Sequence, residues 1–126
     1  MKVTKPLLFC IVLISICSCD KKIQLGSFNP TRWQNDFNGC DGNREIQLRF
    51  LNGLKKDFEG LSETQLISIL GKPNKQELKE RNCKSYYYYC APGKQCFMNL
   101  GAEKTAYLIV EMNAISRVSL LRFALE

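Results

Sequence analysis

Large apolar residues recur at helical spacing in the middle of the chain. From Asn43 onward, four of them stand at every fourth position: Ile46, Phe50, Leu54 and Phe58. This spacing places them on one side of a helix, and it predicts a helix whose apolar face packs in a core. Gly60 follows two residues later and predicts where the helix ends.

A second, shorter helix is predicted directly after the first. Ser62 can accept a hydrogen bond from the third residue of the helix, and Gln65 at that position can bond back to Ser62 as a capping box. Gly71 suits the left-handed position after the last turn, and Pro73 prevents the helix from continuing.

After Pro73 the pattern changes from helical to extended. Residues 84–90 are rich in tyrosine, and residues 105–112 and 117–124 are largely apolar, so three strands are predicted. The short link 113–116 favours an antiparallel hairpin, because a parallel return needs a much longer connection. Pro92 and Gly93 suit the centre of a type II turn.

These elements predict an α+β domain over residues 43–126. Its order is helix, helix, strand, strand, strand. Two helices packed on one face of a three-stranded antiparallel sheet, as a two-layer sandwich, are the simplest way to bury the apolar positions of both.

Both faces of the predicted sheet are apolar. One parity holds Tyr86, Tyr88, Leu108, Val110, Val118 and Leu120. The other parity holds Tyr87, Tyr89, Tyr107, Ile109, Leu121 and Phe123. The two helices can cover one face only. The second face is either covered by the segment that carries Trp33 and Phe37, or it is a surface for a partner, for which Tyr87, Tyr89, Tyr107 and Ile109 are the candidates.

The segment between the first residues and the domain contains few apolar residues. Residues 19–42 are rich in Asn, Gly and Asp, with Trp33 and Phe37 as isolated large apolar side chains. We therefore predict a tether followed by an irregular docked segment, without a helix.

The first residues have the pattern of a secretory signal peptide. Lys2 and Lys5 precede an apolar run over residues 7–17 that is interrupted only by Ser15. A membrane-spanning helix needs roughly 20 predominantly apolar residues, which this run does not provide. We expect residues 1–18 to be a signal peptide that is removed.

The expected cleavage site resembles the lipobox of bacterial lipoproteins. In Ile16-Cys17-Ser18-Cys19, the small Ser18 precedes Cys19, whereas the bulky Ile16 precedes Cys17. We therefore expect Cys19 to be acylated and to become the first residue of the mature protein. Several acyl chains would hold the domain firmly at a membrane.

Four further cysteines follow in a chain that is expected to be exported: Cys40, Cys83, Cys90 and Cys96. Disulfides persist outside the cytoplasm, so at least one is expected. Cys83 and Cys90 flank a predicted strand and would stand roughly 20 Å apart, too far to be bridged. We predict a bridge between Cys40 and Cys96, with Cys90 to Cys96 as the alternative.

Composition excludes several kinds of chemistry. The chain has no His, which removes Ser-His and Cys-His catalytic pairs and His-based metal sites. The cysteine spacing contains no C-x-x-C pair, so we expect neither a metal site nor a cofactor. The net charge of +6 comes without a long basic run, so nucleic acid is not an expected partner.

Candidates for catalysis are scattered. The carboxylates that stand in or near the first helix are Asp36, Asp41, Glu45, Asp57 and Glu59, and the candidate nucleophiles are Cys83 and Cys90. No base or phosphate-binding loop accompanies them, so we predict that the chain is not an enzyme.

A longer run resembles a known family of small envelope lipoproteins. The run "GLSETQLISILGKP" from Gly60 to Pro73, then a tyrosine-rich strand, a Pro-Gly turn and the strand "LIVE", resembles the SmpA/OmlA or BamE-like proteins over about residues 59–123. That resemblance implies an αα-βββ fold, also similar to one repeat of the β-lactamase inhibitory protein, and a role in assembling outer-membrane β-barrels. The pattern of Trp33, Asp36, Cys40 and Arg44 is closer to lipoproteins of Bacteroidota-type bacteria.

The expected function follows from the anchor and this resemblance. We expect a lipoprotein of the cell envelope that faces the periplasm, on the outer rather than the inner membrane, and binds an envelope protein, for example in outer-membrane assembly or envelope integrity. The alternative is an inhibitor or immunity-type protein that blocks a periplasmic enzyme with its sheet face.

Overall fold

The fold is α+β, with three α-helices and one four-stranded antiparallel sheet. It was obtained as a computed structural model, which describes residues 20–97 and 101–126. The helices are α1 Pro30–Asn35, α2 Asn43–Phe58 and α3 Glu63–Leu70. The strands are β1 Lys75–Leu78, β2 Lys84–Tyr89, β3 Ala106–Met112 and β4 Val118–Leu125. The α+β class is confirmed, and the structure adds one helix and one strand to the two helices and three strands expected.

The added helix lies in the segment that we expected to be irregular. Asn29 caps α1 by accepting a hydrogen bond from the backbone N–H of Arg32, and Pro30 fits the first helical turn because it lacks an N–H to satisfy. The helix has only six residues. It is therefore too short to show an apolar period, and burial of Trp33 against the core holds it in place.

The buried side of α2 agrees only in part with the predicted apolar side: Phe58 is buried and Leu54 packs against the core, but the first half of the helix departs from the prediction. Arg44 and Gln47 are buried, whereas Ile46 and Phe50 are exposed. Gln47 turns inward because its side-chain oxygen accepts a hydrogen bond, 2.8 Å long, from the backbone N–H of Asn29. The contacts of α2 with the preceding segment thus rotate the helix away from the arrangement that its apolar residues alone would favour.

The start and the end of α3 agree with the sequence analysis. Ser62 accepts a hydrogen bond from the backbone N–H of Gln65, and Gln65 bonds back to the backbone N–H of Ser62. Gly71 follows the helix at φ 74°, which favours glycine.

The sheet has the order β1-β2-β3-β4, and every neighbouring pair is antiparallel. The added strand β1 has the sequence KQEL, which is too short and too polar to resemble a buried strand. A tight turn that places Arg81 and Asn82 at positive φ returns the chain from β1 to β2. The strand is therefore formed by its pairing with β2 and not by an apolar pattern of its own.

A β-bulge between β3 and β4 changes which side chains of β4 are buried. Met112 faces Val118, but the preceding Glu111 faces Leu120, so the residue between them is extra. The bulge turns Leu121 into the core and leaves Leu120 exposed. Phe123 likewise stands opposite the core residue Leu108, on the helical side. The expected sides of Leu120, Leu121 and Phe123 are therefore reversed, because strict alternation cannot anticipate an inserted residue.

The core lies between the three helices and one face of the sheet. The buried residues that the helices contribute include Trp33, Leu51, Phe58, Leu66, Ile69 and Leu70. Those of the sheet are Tyr86, Tyr88, Leu108, Val110, Met112, Val118 and Leu121. One layer of helices thus covers one face of the sheet, as in the predicted two-layer arrangement.

The loop after β2 does not contain the predicted type II turn. Such a turn needs a positive φ at its third residue, and Gly93 does not have one. Glycine is required there for another reason, because a Cβ atom at Gly93 would lie 2.8 Å from the carbonyl oxygen of Lys104. The absence of a side chain at Gly93 thus lets the backbone of this loop lie close to the backbone at Lys104.

Candidate functional site

The four residues predicted as a partner surface lie together on the face of the sheet that points away from the helices. Tyr87 stands directly opposite Ile109, and Tyr89 stands opposite Tyr107, in the pairing of β2 with β3. Tyr87 and Ile109 are buried, whereas Tyr89 and Tyr107 are partly exposed. We call these four residues the tyrosine face.

The aromatic rings of the tyrosine face are fixed against each other. The ring centroids of Tyr87 and Tyr107 are 5.4 Å apart in an edge-to-face arrangement. Those of Tyr89 and Tyr107 are also 5.4 Å apart, with the rings stacked. Such pairs restrict the side chains, so that a partner would meet a surface that is already ordered.

Charged side chains of β1 border the tyrosine face on one side. The ammonium group of Lys75 lies 4.7 Å from the ring centroid of Tyr87. The hydroxyl of Tyr87 donates a hydrogen bond, 2.8 Å long, to a carboxylate oxygen of Glu77. Burial and this hydrogen bond both raise the pKa of Tyr87 above its ordinary value, so the phenol stays neutral and polar.

A second polar cluster borders the face at one end of the strands, where Ser85 stands opposite Glu111 two residues from the pair of Tyr87 and Ile109. Glu111 accepts hydrogen bonds from the hydroxyl of Ser85 and from the guanidinium of Arg122, and the ammonium group of Lys79 lies 3.6 Å from it. Burial opposes the charge of Glu111, but these partners outweigh burial and lower the pKa of the carboxyl. The apolar centre of the face is therefore surrounded by groups that can form directional bonds.

Trp33, the largest apolar side chain of the N-terminal segment, does not lie on the tyrosine face. Trp33 lies on the opposite, helical side, where its ring centroid is 6.4 Å from that of Tyr88. Trp33 therefore does not cover the tyrosine face, although the same segment meets one end of it, where a Cβ atom at Gly39 would lie 3.2 Å from the Cβ atom of Tyr89. Phe37 is exposed and lies beside Arg44.

Arg44 of α2 fixes this segment to the domain. It is 1% exposed, and its guanidinium donates to the backbone oxygens of Trp33 at 2.8 Å and of Tyr89 at 2.9 Å. It also donates to the side-chain oxygen of Asn74 at 3.0 Å and lies 4.7 Å from the ring centroid of Trp33. Burial lowers the pKa of Arg44 to about 10, while the charge of Asp36 opposes that shift. The side chain therefore stays charged at neutral pH.

Two further polar side chains complete this buried cluster. Asp36 accepts hydrogen bonds, both 3.0 Å long, from the backbone N–H groups of Asp41 and Arg44. Asn74 donates to the backbone oxygen of Phe37 and accepts from the backbone N–H of Tyr89. Because Asp36 is buried and bonded to backbone, it supports the fold and is not placed as a catalytic acid would be.

The predicted disulfide lies at the same end of the molecule. Cys40 and Cys96 are joined, with their Cα atoms 5.7 Å apart. The alternative bridge from Cys90 to Cys96 is not formed, since Cys90 is a free, buried thiol. The bridge fastens the segment before α2 to the loop after β2, and so it fixes the same segment as Arg44.

The two remaining thiols, Cys83 and Cys90, are free. Burial raises the pKa of Cys90 to about 12, so this thiol is protonated and a poor nucleophile at neutral pH. Cys83 lies in the turn before β2, away from Cys90. Across residues 20–97 and 101–126, no three Cys, Asp or Glu side chains are placed to hold a metal ion.

The first described residues pack against the domain and do not form a free tether. The ammonium group of Lys21 donates to the backbone oxygen of Glu59, and the side-chain amide of Gln65 donates to the backbone oxygen of Lys21, both at 2.6 Å. Ile23 and Leu25 pack against the core. The expected signal peptide, residues 1–18, and the expected acylation site, Cys19, lie outside the described residues. Within those residues, no helix is long and apolar enough to cross a membrane.

Comparisons with known proteins give no further identification. No protein-family model, no curated protein and no solved structure matches this chain.

Proposed function

We propose that this chain is a lipid-anchored protein of a bacterial cell envelope that acts by binding another envelope protein, without catalysis. Acylation at Cys19 supplies the membrane anchor, and the tyrosine face supplies the binding surface. The proposed place is the periplasmic side of the outer membrane, with a role in outer-membrane assembly or envelope integrity, as the resemblance to BamE-like lipoproteins implies.

The observation that carries this proposal is the tyrosine face itself. Ordered aromatic side chains with a polar border are typical of the centre of a protein interface, because tyrosine provides a large contact area and a hydroxyl at a small entropic cost. Here these residues lie on a sheet face over which no described helix packs. Tyr89 and Tyr107 remain partly exposed on that face, so their rings are the part of it that a partner could contact.

The anchor is tested by mass spectrometry of the protein isolated from a bacterial envelope. We expect the first residue of the mature protein to be Cys19 with attached fatty acyl chains, because a lipobox cysteine is modified before cleavage. Cys19→Ala should abolish both the acyl mass and the cleavage, and globomycin should block cleavage of the native chain. A mature protein that lacks acyl mass would refute the anchor.

The binding surface is tested by affinity purification of the full-length protein from solubilised membranes. We expect β-barrel assembly components to be recovered with it, and the double variant Tyr89→Ser/Tyr107→Ser to lose at least about 90% of them, since central aromatic residues contribute most to binding. Both tyrosines are partly exposed, so these substitutions should disturb the fold less than changes at the buried Tyr87.

A matched double variant provides the control. Ile46→Ser/Phe50→Ser also removes two exposed apolar side chains, but from α2 on the other side of the molecule. It should retain the partner. Recovery of a single soluble enzyme in place of assembly components would support the inhibitor alternative, whereas equal loss of partner in both double variants would argue against the tyrosine face.

A further inference from the structure

The two edges of the sheet differ in how they are protected against pairing with another strand. β1 has four residues, and two of them, Lys75 and Glu77, form an ion pair at 3.0 Å. β4 has eight residues and contains one charged side chain, Arg122. Short, charged edges resist pairing, whereas long apolar edges favour it. Only β4 therefore has the character of an edge that forms an interface.

The pairing with β3 determines which backbone groups of β4 point outward. Thr105 and Glu126 exchange two backbone hydrogen bonds, of 2.6 and 3.0 Å. Because residues of an antiparallel pair alternate between bonding to the neighbour and pointing away from it, the outward groups belong to Leu121, Phe123 and Leu125. In the described part of the chain, no backbone group bonds to them.

The segment of Gly60 and Leu61 already forms hydrogen bonds with the outer edge of β4, at the first residue of this strand. The backbone N–H of Gly60 donates to the oxygen of Val118 at 2.7 Å, and the N–H of Val118 donates to the oxygen of Leu61 at 2.9 Å. The outer edge of β4 is therefore able to accept a strand, and it remains open beyond the point where this contact ends.

Exposed apolar side chains lie beside the open part of the β4 edge. Phe123 is 37% exposed and Leu125 is 67% exposed. Both border a groove of about 360 Å³ between α2 and β4, which is also lined by Leu48, Cys90 and Ala106. Outward backbone groups and exposed apolar side chains thus lie side by side at one edge.

We propose that two copies of this chain pair through their β4 strands, antiparallel and centred on Phe123. In this register Phe123 stands opposite Phe123 of the second copy, and Leu121 stands opposite Leu125. Each of the three outward residues then meets an outward residue, which satisfies their N–H and C=O groups. On the other face, Arg122 stands opposite Ala124, so that like charges do not oppose each other directly.

Antiparallel pairings of two β4 strands that are centred on other residues fit less well. A pairing centred on Leu121 would bring the second strand against the segment of Gly60 and Leu61, which already occupies the edge at Val118. A pairing centred on Leu125 would overlap the two β4 strands at their final residue only. Residues 120, 122 and 124 cannot serve as centres, because their backbone groups are directed to β3.

The pairing would produce one continuous eight-stranded sheet from the two four-stranded sheets. Side chains that stand opposite each other in an antiparallel pair lie on the same face, so both layers of helices would share one face of the larger sheet. Both tyrosine faces would lie on the other. This dimer does not depend on the proposed binding role of the tyrosine face.

The test uses two full-length copies with different tags, co-expressed and extracted from membranes in mild detergent. Capture of one wild-type copy should recover the other. Phe123→Lys in both copies should reduce this recovery at least about tenfold, because like charges would stand opposite each other beside Lys55, whose ammonium group lies 4.5 Å from the ring centroid of Phe123. One Phe123→Lys copy expressed with one Phe123→Glu copy should restore it, which would also show that both variants fold.

Ile46→Lys is the matched control. Ile46 is an exposed apolar residue of α2 and stands about 200° around the helix from Leu48, which lines the groove beside β4. The control should leave recovery unchanged. The proposal is overturned if wild-type copies do not recover each other, if Phe123→Lys leaves recovery unchanged, or if the lysine and glutamate copies fail to pair.

Discussion

Replacing Arg44 with Met should lower the free energy of unfolding by about 3–5 kcal/mol, the cost of removing one partner from a buried charged cluster. The substitution leaves the backbone oxygens of Trp33 and Tyr89 without their donor. It also leaves the buried Asp36 without the nearby positive charge. Urea unfolding of the purified protein, followed by tryptophan fluorescence, measures the change, since Trp33 packs beside Arg44.

The same substitution at an exposed position of the same helix is the control. Arg49 lies in α2 and is exposed. Arg49→Met should therefore change the free energy of unfolding by no more than about 0.5 kcal/mol, as is usual for surface positions. Similar stabilities for the two variants would mean that the guanidinium of Arg44 contributes little to holding the N-terminal segment.

Removing the disulfide between Cys40 and Cys96 should also lower the free energy of unfolding by several kcal/mol. The bridge closes a loop with a sequence separation of 56 residues. For a loop of this length, the chain-entropy relation gives about 4 kcal/mol of stabilisation through restriction of the unfolded chain. Cys40→Ser/Cys96→Ser should shift the midpoint of urea unfolding accordingly, and a reductant should have the same effect on the wild-type protein.

Cys83→Ser tests whether the effect belongs to the bridge. Cys83 is a free, partly exposed thiol, so its replacement should leave the urea midpoint and its sensitivity to reductant unchanged. If reductant did not destabilise the wild-type protein, the bridge would not stabilise the fold.

The sequence was sufficient to predict the elements whose signals are local. The capping box of Ser62 and Gln65 and the stop at Gly71 are specified within a few residues, and α3 follows them. The bridge from Cys40 to Cys96 was predicted because it would fasten the N-terminal segment to the sheet, and it is confirmed. Strand geometry alone excluded only the pairing of Cys83 with Cys90 and left Cys90 to Cys96 open.

The elements that the sequence did not predict depend on distant contacts. β1 forms because it pairs with β2, and α1 forms because Trp33 is buried in the core. The buried cluster around Arg44 joins residues from α2, from the segment before it and from the turn before β1. A charged residue in a helix is usually exposed, so its burial had no local signal.

The candidate surface was predicted in part. Alternation in two strands was enough to place Tyr87, Tyr89, Tyr107 and Ile109 on one face, because the pairing of β2 and β3 is regular. The same alternation failed in β4, where the bulge reverses the sides of Leu120 and Leu121. Regular register can be inferred from sequence, whereas an inserted residue becomes visible only in the pairing.

If Cys19 carries the proposed acyl anchor, the contacts of Lys21 and Ile23 limit how far the domain can reach from a bilayer. Ile23, which packs against the core, is the fourth residue after Cys19, so at about 3.5 Å per residue the span between them is no more than about 14 Å. A domain held so closely would rest beside the lipid headgroups. It could engage proteins embedded in the same membrane, and it could not search the periplasm as a lipoprotein on a long linker does.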